Sequence, residues 1–150
     1  MRYETSAGGV IVAYKGKGKI PYVLLLKDKS RKWTFPKGLI EKNEVHENTA
    51  KREIAEEVGV KKLTLLAELA PIEYFYKWEG KLVKKKVFYY LFKNGMEEKL
   101  RPQRSEGIMD VKWFPFTKAV EVVGYKKTNK KILREAKEKL SNWELSNDKF

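Results

Sequence analysis

The stretch Gly38-Leu39-Ile40-Glu41-Lys42-Asn43-Glu44-Val45-His46-Glu47-Asn48-Thr49-Ala50-Lys51-Arg52-Glu53-Ile54-Ala55-Glu56-Glu57-Val58-Gly59-Val60 decides how this chain is read. From about His46 to Val58 it carries a helical pattern, in which Ala50, Ile54 and Val58 recur at i, i+4 and i+8 as an inward stripe. Glu53, Glu56 and Glu57 fall at i, i+3 and i+4 and share one narrow arc beside it. Like charges at those spacings cost a helix about 0.2–0.5 kcal/mol per pair. Gly59 reads as the residue that caps the helix, so the three carboxylates sit in the last turn, where the helix dipole is also negative. Two local rules broken together without evident compensation mark a functional site. The simplest compensation for clustered hard oxygen ligands is a divalent cation.

Working outward, a chain of 150 residues is of ordinary size for one domain, and a single domain spanning residues 1–150 is expected. It has no cysteine, which excludes a disulfide framework, a thiolate zinc site and a thiol nucleophile. Met1 to Ser6 lack the apolar core of a signal peptide, and the apolar runs are strand-sized, so a soluble cytoplasmic protein without a membrane partner is expected. The net charge of +13 predicts attraction to polyanions without choosing among nucleotides, RNA and DNA.

Strands are predicted at Ser6 to Tyr14 and Tyr22 to Leu26, joined by the basic turn Lys15-Gly16-Lys17-Gly18-Lys19. A short extended piece, Trp33 to Pro36, leads into Gly38. The first half of the opening stretch reads as loop and the second as helix. Further strands follow at Leu63 to Ala70, Ile72 to Trp78, Leu82 to Phe92 and Ile108 to Phe114, with a hairpin turn at Glu79-Gly80. Helices at Thr117 to about Gly124 and about Thr128 to Leu145 finish the chain. In the last, Ile132, Leu133, Ala136, Leu140 and Trp143 keep a 3.6 period, and Lys130, Lys131, Arg134, Lys137 and Lys139 form a solvated face. This order supports an α/β fold, a mixed sheet with helices on both faces.

Gly38, five residues, Glu44, seven residues, then Arg52-Glu53-Ile54-x-Glu56-Glu57-x-Gly59-Val60 resembles the complete Nudix box. The likeness spans roughly residues 5 to 145, with its specific part at residues 33 to 60. The resemblance implies the Nudix α/β/α sandwich and hydrolysis of a nucleoside diphosphate derivative with Mg²⁺ or Mn²⁺. It also implies Glu56 and Glu57 as principal metal ligands, Glu53 as a shared ligand or general base, and the Gly38 carbonyl as a further ligand. Arg52 would orient these carboxylates together with Glu44, since a guanidinium fork holds two oxygens in fixed geometry. Nudix enzymes differ over the general base. Glu53 and the distant Glu106, in Arg104-Ser105-Glu106-Gly107-Ile108, are both candidates.

Outside the box, Ser6-Ala7-Gly8-Gly9, Lys32 to Gly38, Tyr74 and Tyr76, Lys84-Lys85-Lys86 and Trp113-Phe114 are similar to the asymmetrical diadenosine tetraphosphate hydrolases, which release ATP and AMP. Tyr74 and Tyr76 share a strand face and can stack a base. Lys37, Lys84 and Lys86 can bind phosphates, and alternation sets Lys85 opposite the last two. Tyr125 resembles a second aromatic position of that group. Trp33 reads as a packing residue, and His46, the single histidine, as an exposed residue at the helix start. Removal of pyrophosphate from RNA 5′ ends, or hydrolysis of a nucleoside triphosphate or nucleotide sugar, are alternatives within the family. A nucleotide- or RNA-binding module without turnover is the alternative from another class. A nucleotide is the expected partner, RNA is a further one, and the chain is expected as a monomer or homodimer.

Overall fold

A computed structural model describes residues 1–17 and 20–147; Gly18 and Lys19, expected in the basic turn, lie outside the described residues. Strand β1 (Arg2–Lys15) runs through the middle of an eight-stranded mixed sheet. Residues Ser6 to Ala13 are all buried, as a strand covered on both faces requires. On one side β1 pairs in parallel with β7 (Lys81–Lys93), from Arg2↔Val83 to Val12↔Lys93. On the other it pairs antiparallel with two strands in succession. Its far half takes β2 (Ile20–Lys27), and Ser6 to Gly8 take the three residues of β4 (Lys37–Leu39). β1 and β2 therefore part, and β4 enters the gap.

β2 continues outward to β3 (Trp33–Thr34) and β8 (Asp110–Pro115). β5 (Thr64–Glu68) and β6 (Ile72–Trp78) follow one another antiparallel along β7. The turn from β6 to β7 has Glu79 at φ 50° and Gly80 at φ 74°, the paired positive values that a two-residue hairpin needs. The Glu79-Gly80 expectation is met.

Helix α1 (His46–Val58) packs on one face of the sheet, where Ala50, Ile54 and Val58 join Ala7, Ile11, Leu24 and Phe92 in a buried cluster. Helices α2 (Phe116–Val122) and α3 (Lys126–Ser146) cover the other, where Leu133, Ala136 and Leu140 meet Val10, Val12 and Leu91. This is the expected α/β/α layering. Among the described residues no helix is long and apolar enough to cross a membrane.

Several element bounds and details differ from the expectations, with β1 starting earlier, at Arg2, and α2 stopping sooner, at Val122. β5 is shorter and shifts register between Leu65 and Ala67. β4 forms inside the segment read as loop. The last helix begins earlier, at Lys126, because the buried Asn129 side chain donates to the Thr34 hydroxyl (3.1 Å) and the Gly124 carbonyl (2.9 Å) and ties that end to β3. His46 is half-buried, its ring 4.4 Å from that of Phe88.

The strand crossing leaves no room at Gly8. A Cβ there would lie 2.2 Å from the Pro36 carbonyl oxygen and 2.6 Å from Lys37 Cβ, and the neighbouring Gly9 N–H donates to that same carbonyl at 3.1 Å. Gly8→Ala is expected to lower unfolding free energy by about 3 kcal/mol, as backbone atoms rather than a side chain must yield. Urea denaturation checks it, with Gly95→Ala as the comparison, since a Cβ there would meet only the flexible end of the Glu97 side chain.

Candidate active site

The site is organised by the helix that the opening stretch encodes. Gly59, at φ 81°, ends α1 by donating its N–H to the Ala55 carbonyl, so Glu53, Glu56 and Glu57 occupy the final turns as expected. The compensation absent from sequence pattern alone is partly visible here. Arg52 lies along the row and grips Glu44 with two bonds, Nε to Oε2 at 2.7 Å and Nη2 to Oε1 at 3.0 Å. Its Nη1 donates to Glu53 at 2.8 Å and approaches Glu56 at 3.4 Å, while Nη2 also reaches the Leu39 carbonyl at 3.1 Å. Those hydrogen bonds from Arg52, helped by the Thr49 hydroxyl, hold the Glu44 carboxyl down to about 2.

Among the described residues Glu57 has no such partner. It accepts one backbone N–H, from Lys37 at 2.8 Å. Burial pushes its carboxyl up to about 8, and repulsion from Glu53 and Glu56 adds to the rise against the Lys37 bond and charge. Glu53 is also raised, by burial acting against Arg52. Its carboxyl lies directly over Gly38, where a Cβ would sit 2.0 Å from the Glu53 Cδ. Glycine at that position is what lets the carboxylate approach the backbone so closely. Among the described residues no three acidic groups close into a finished metal cage. The oxygen-only donors and the repulsion left uncompensated around Glu57 nonetheless fit a hard divalent cation.

The cleft continues from Glu57 over the sheet face that α3 shares. Lys37, Tyr74, Tyr89 and Tyr125 line it, with Thr34 and Asn129 at its floor. Glu106, on a single 3-10 turn (Arg104–Glu106) that Gly107 ends at φ 82°, borders the adjoining part together with Glu57 and Lys37. Tyr125, itself at φ 48°, is held at the rim because its hydroxyl donates to Asp28 Oδ2 at 2.6 Å. Asp28 in turn accepts the N–H groups of Ser30 and Lys32 and shapes that loop. Trp33 packs edge-on against Phe114, as its packing role predicts.

The register places the remaining expected residues. Tyr74 and Tyr76 share a face, with ring centroids 6.4 Å apart, and the Tyr76 hydroxyl donates to Glu4. Tyr74 pairs directly with Lys85 and Phe75 with Lys84, so Lys85 is the basic residue on the tyrosines' face. Lys84 and Lys86 lie on the opposite face, where both reach Glu73, at 3.4 and 4.0 Å. The structure does not bring these two to the cleft. Sequence alternation separates Lys85 from its neighbours, but which parity faces the cleft is set by cross-strand pairing, which no local pattern reveals. Asp28, Tyr89 and Lys85 are additions of the structure. Burial lowers the ammonium pKa of both Lys37 and Lys85, and repulsion from Lys85 lowers that of Lys37 further.

A family model for the NUDIX domain matches residues 4–138 of this chain. Over 96 residues the chain is 38% identical to MutT4 of Mycobacterium tuberculosis, an alignment that spans 61% of this chain and 38% of that longer protein. The chain thus covers well under half of that relative. Among solved structures, a Caenorhabditis elegans Ap4A hydrolase binary complex superposes with a TM-score of 0.73 at 26% identity, covering 93% of this chain and 98% of the other. The NUDIX domain of Shewanella oneidensis NrtR, complexed with ADP ribose, shares the fold with a TM-score of 0.68 at 18% identity, over 93% and 90% of the two chains. With the family model matching nearly its whole length and the box carboxylates gathered on α1, the chain belongs to the NUDIX domain family.

Proposed function

We propose that this protein hydrolyses a phosphoanhydride of a nucleoside polyphosphate with Mg²⁺ or Mn²⁺, its foremost substrate being diadenosine tetraphosphate, split into ATP and AMP. The observation that carries this reading is a cleft that gathers half-buried carboxylates and half-buried lysines, with Glu57 and Lys37 lining the same part of it. Glu53 and Glu57 are raised by burial and by neighbouring carboxylates, as groups awaiting a cation. Lys37 and Lys85 are lowered by burial, and Lys37 also by repulsion from Lys85, as ammonium groups awaiting an anion. A metal-bound polyphosphate satisfies both at once. The likeness to the Caenorhabditis elegans Ap4A hydrolase supports the choice of dinucleotide.

Glu53, Glu56, Glu57 and the Gly38 carbonyl would hold the metal, which supplies charge neutralisation and acidifies water when bound. Arg52 and Glu44 keep the carboxylates in place. Lys37 and Lys85 bind the phosphates, and Tyr74 and Tyr125, both bordering the cleft, take a base. Water oxygen adds to phosphorus, the anhydride P–O bond breaks, and the water proton passes to a carboxylate. Glu53, raised by burial, and Glu106, on the bordering turn, are the two acceptors.

Incubation with diadenosine tetraphosphate and Mg²⁺ is expected to yield ATP and AMP on ion-exchange chromatography. Glu57→Gln should slow turnover on the order of a hundredfold or more. Two ADP would mean another scissile bond, and no product would retire this substrate. Glu53→Gln and Glu106→Gln separate the two proton acceptors, the true one losing most of kcat at unchanged KM.

Lys85→Met is expected to raise KM about tenfold, the loss of one charge-assisted phosphate contact, with Lys84→Met far milder. The reverse ranking would put the phosphates on the opposite face.

Glu57 also sets a pH dependence. Its folded pKa, about 8, lies above the ordinary 4.5, so the folded state binds the proton more tightly than the unfolded one. In chelator, the contribution of Glu57 to stability is expected to be fullest below about 4.5 and to fall as pH rises towards about 8, and Glu57→Gln should remove that slope. Thermal melts across the range read it directly.

A further inference from the structure

The α1 side of the sheet is covered only in part. Helix α1 begins over Phe88, on which its first residue, His46, rests at 4.4 Å. Beyond it the ends of β1, β7 and β6 lie side by side. Tyr3 pairs with Lys84, and Lys84 with Phe75, so one row across three strands reads aromatic, lysine, aromatic. At strand spacing the two rings stand roughly 10 Å apart with the ammonium group between them. Tyr3 is 71% exposed, Phe75 56% and Leu82, on the same face, 41%. Lys86 sits one row further along and Lys77 pairs with Leu82. Three lysines thus face one carboxylate, Glu73, which lies within 4.0 Å of two of them.

Aromatic rings this exposed contribute nothing to the core, and Lys84 and Lys86, on a strand paired on both sides, guard no sheet edge against strand addition. Unpaired bases stack on such rings whatever their identity, and interleaved lysines follow the phosphates between them. A second copy of the chain would set lysines against lysines, and the +13 net charge favours a polyanion. We propose that this face, built on Tyr3, Phe75, Lys84 and Lys86, binds single-stranded RNA outside the catalytic cleft. The inference goes beyond the hydrolase reading and does not depend on it.

The test is fluorescence anisotropy of a labelled 12-residue uridine oligomer with 5′-hydroxyl ends, titrated with the full chain in chelator so that the cleft does no chemistry. Tyr3→Ala/Phe75→Ala leaves the charge untouched and should weaken binding at least about tenfold. Lys84→Glu/Lys86→Glu should weaken it as much and flatten the salt dependence. Lys130→Glu/Lys137→Glu, on the exposed face of α3, makes the same charge change and should shift it less than about threefold. The proposal is overturned if the aromatic variant binds like the wild type, if the two charge variants are equal, or if duplex RNA binds as well as the single strand. It is also overturned if sedimentation shows a dimer that the aromatic variant dissolves, which would assign the face to a second copy.

Discussion

One guanidinium holds the site together. Arg52 connects the loop after β4, through Glu44 and the Leu39 carbonyl, to the carboxylate row of its own helix, through Glu53 and Glu56. Without it the loop would have to find its place by backbone contacts alone, and Glu53 would face Glu56 and Glu57 unmediated. The arrangement is asymmetric. Arg52 satisfies Glu44 fully and Glu53 in part, and leaves Glu57 to a single backbone N–H. A cation added to this turn therefore meets a charge deficit already graded from the buried end to the exposed one, with Glu56 outermost.

The same grading explains why half-buried lysines are tolerated opposite. Lys37 and Lys85 pair with no carboxylate at ion-pair distance among the described contacts, yet feel the field of Glu57. Moving either charge into solvent would relieve burial but lose that field. The cleft is thus balanced over its whole width rather than contact by contact, and a ligand carrying both signs fits it with least reorganisation.

Much of this was legible in the residues. The helix bounds, the inward stripe of Ala50, Ile54 and Val58 and the carboxylate arc follow from a 3.6 period, and the turn at Glu79-Gly80 follows from glycine chemistry. What was not legible depends on pairing between distant segments. β4 is three residues long and carries no pattern of its own; it exists because β1 leaves its edge free there. Lys85 faces the cleft, and Lys84 and Lys86 do not, because β6 docks with Tyr74 opposite Lys85, and a slip of one residue would reverse the assignment. Tyr125 reaches the rim only because Asp28, far away in sequence, accepts its hydroxyl.

The parallel ladder between β1 and β7 has a further consequence. It joins segments about eighty residues apart, so the central strand cannot complete its pairing until more than half of the chain has been synthesised. During that interval the buried run from Ser6 to Ala13 has an open edge and two uncovered faces. Its two glycines and its alanines make it a weak template for stray pairing, which protects the nascent chain at the point where waiting is longest.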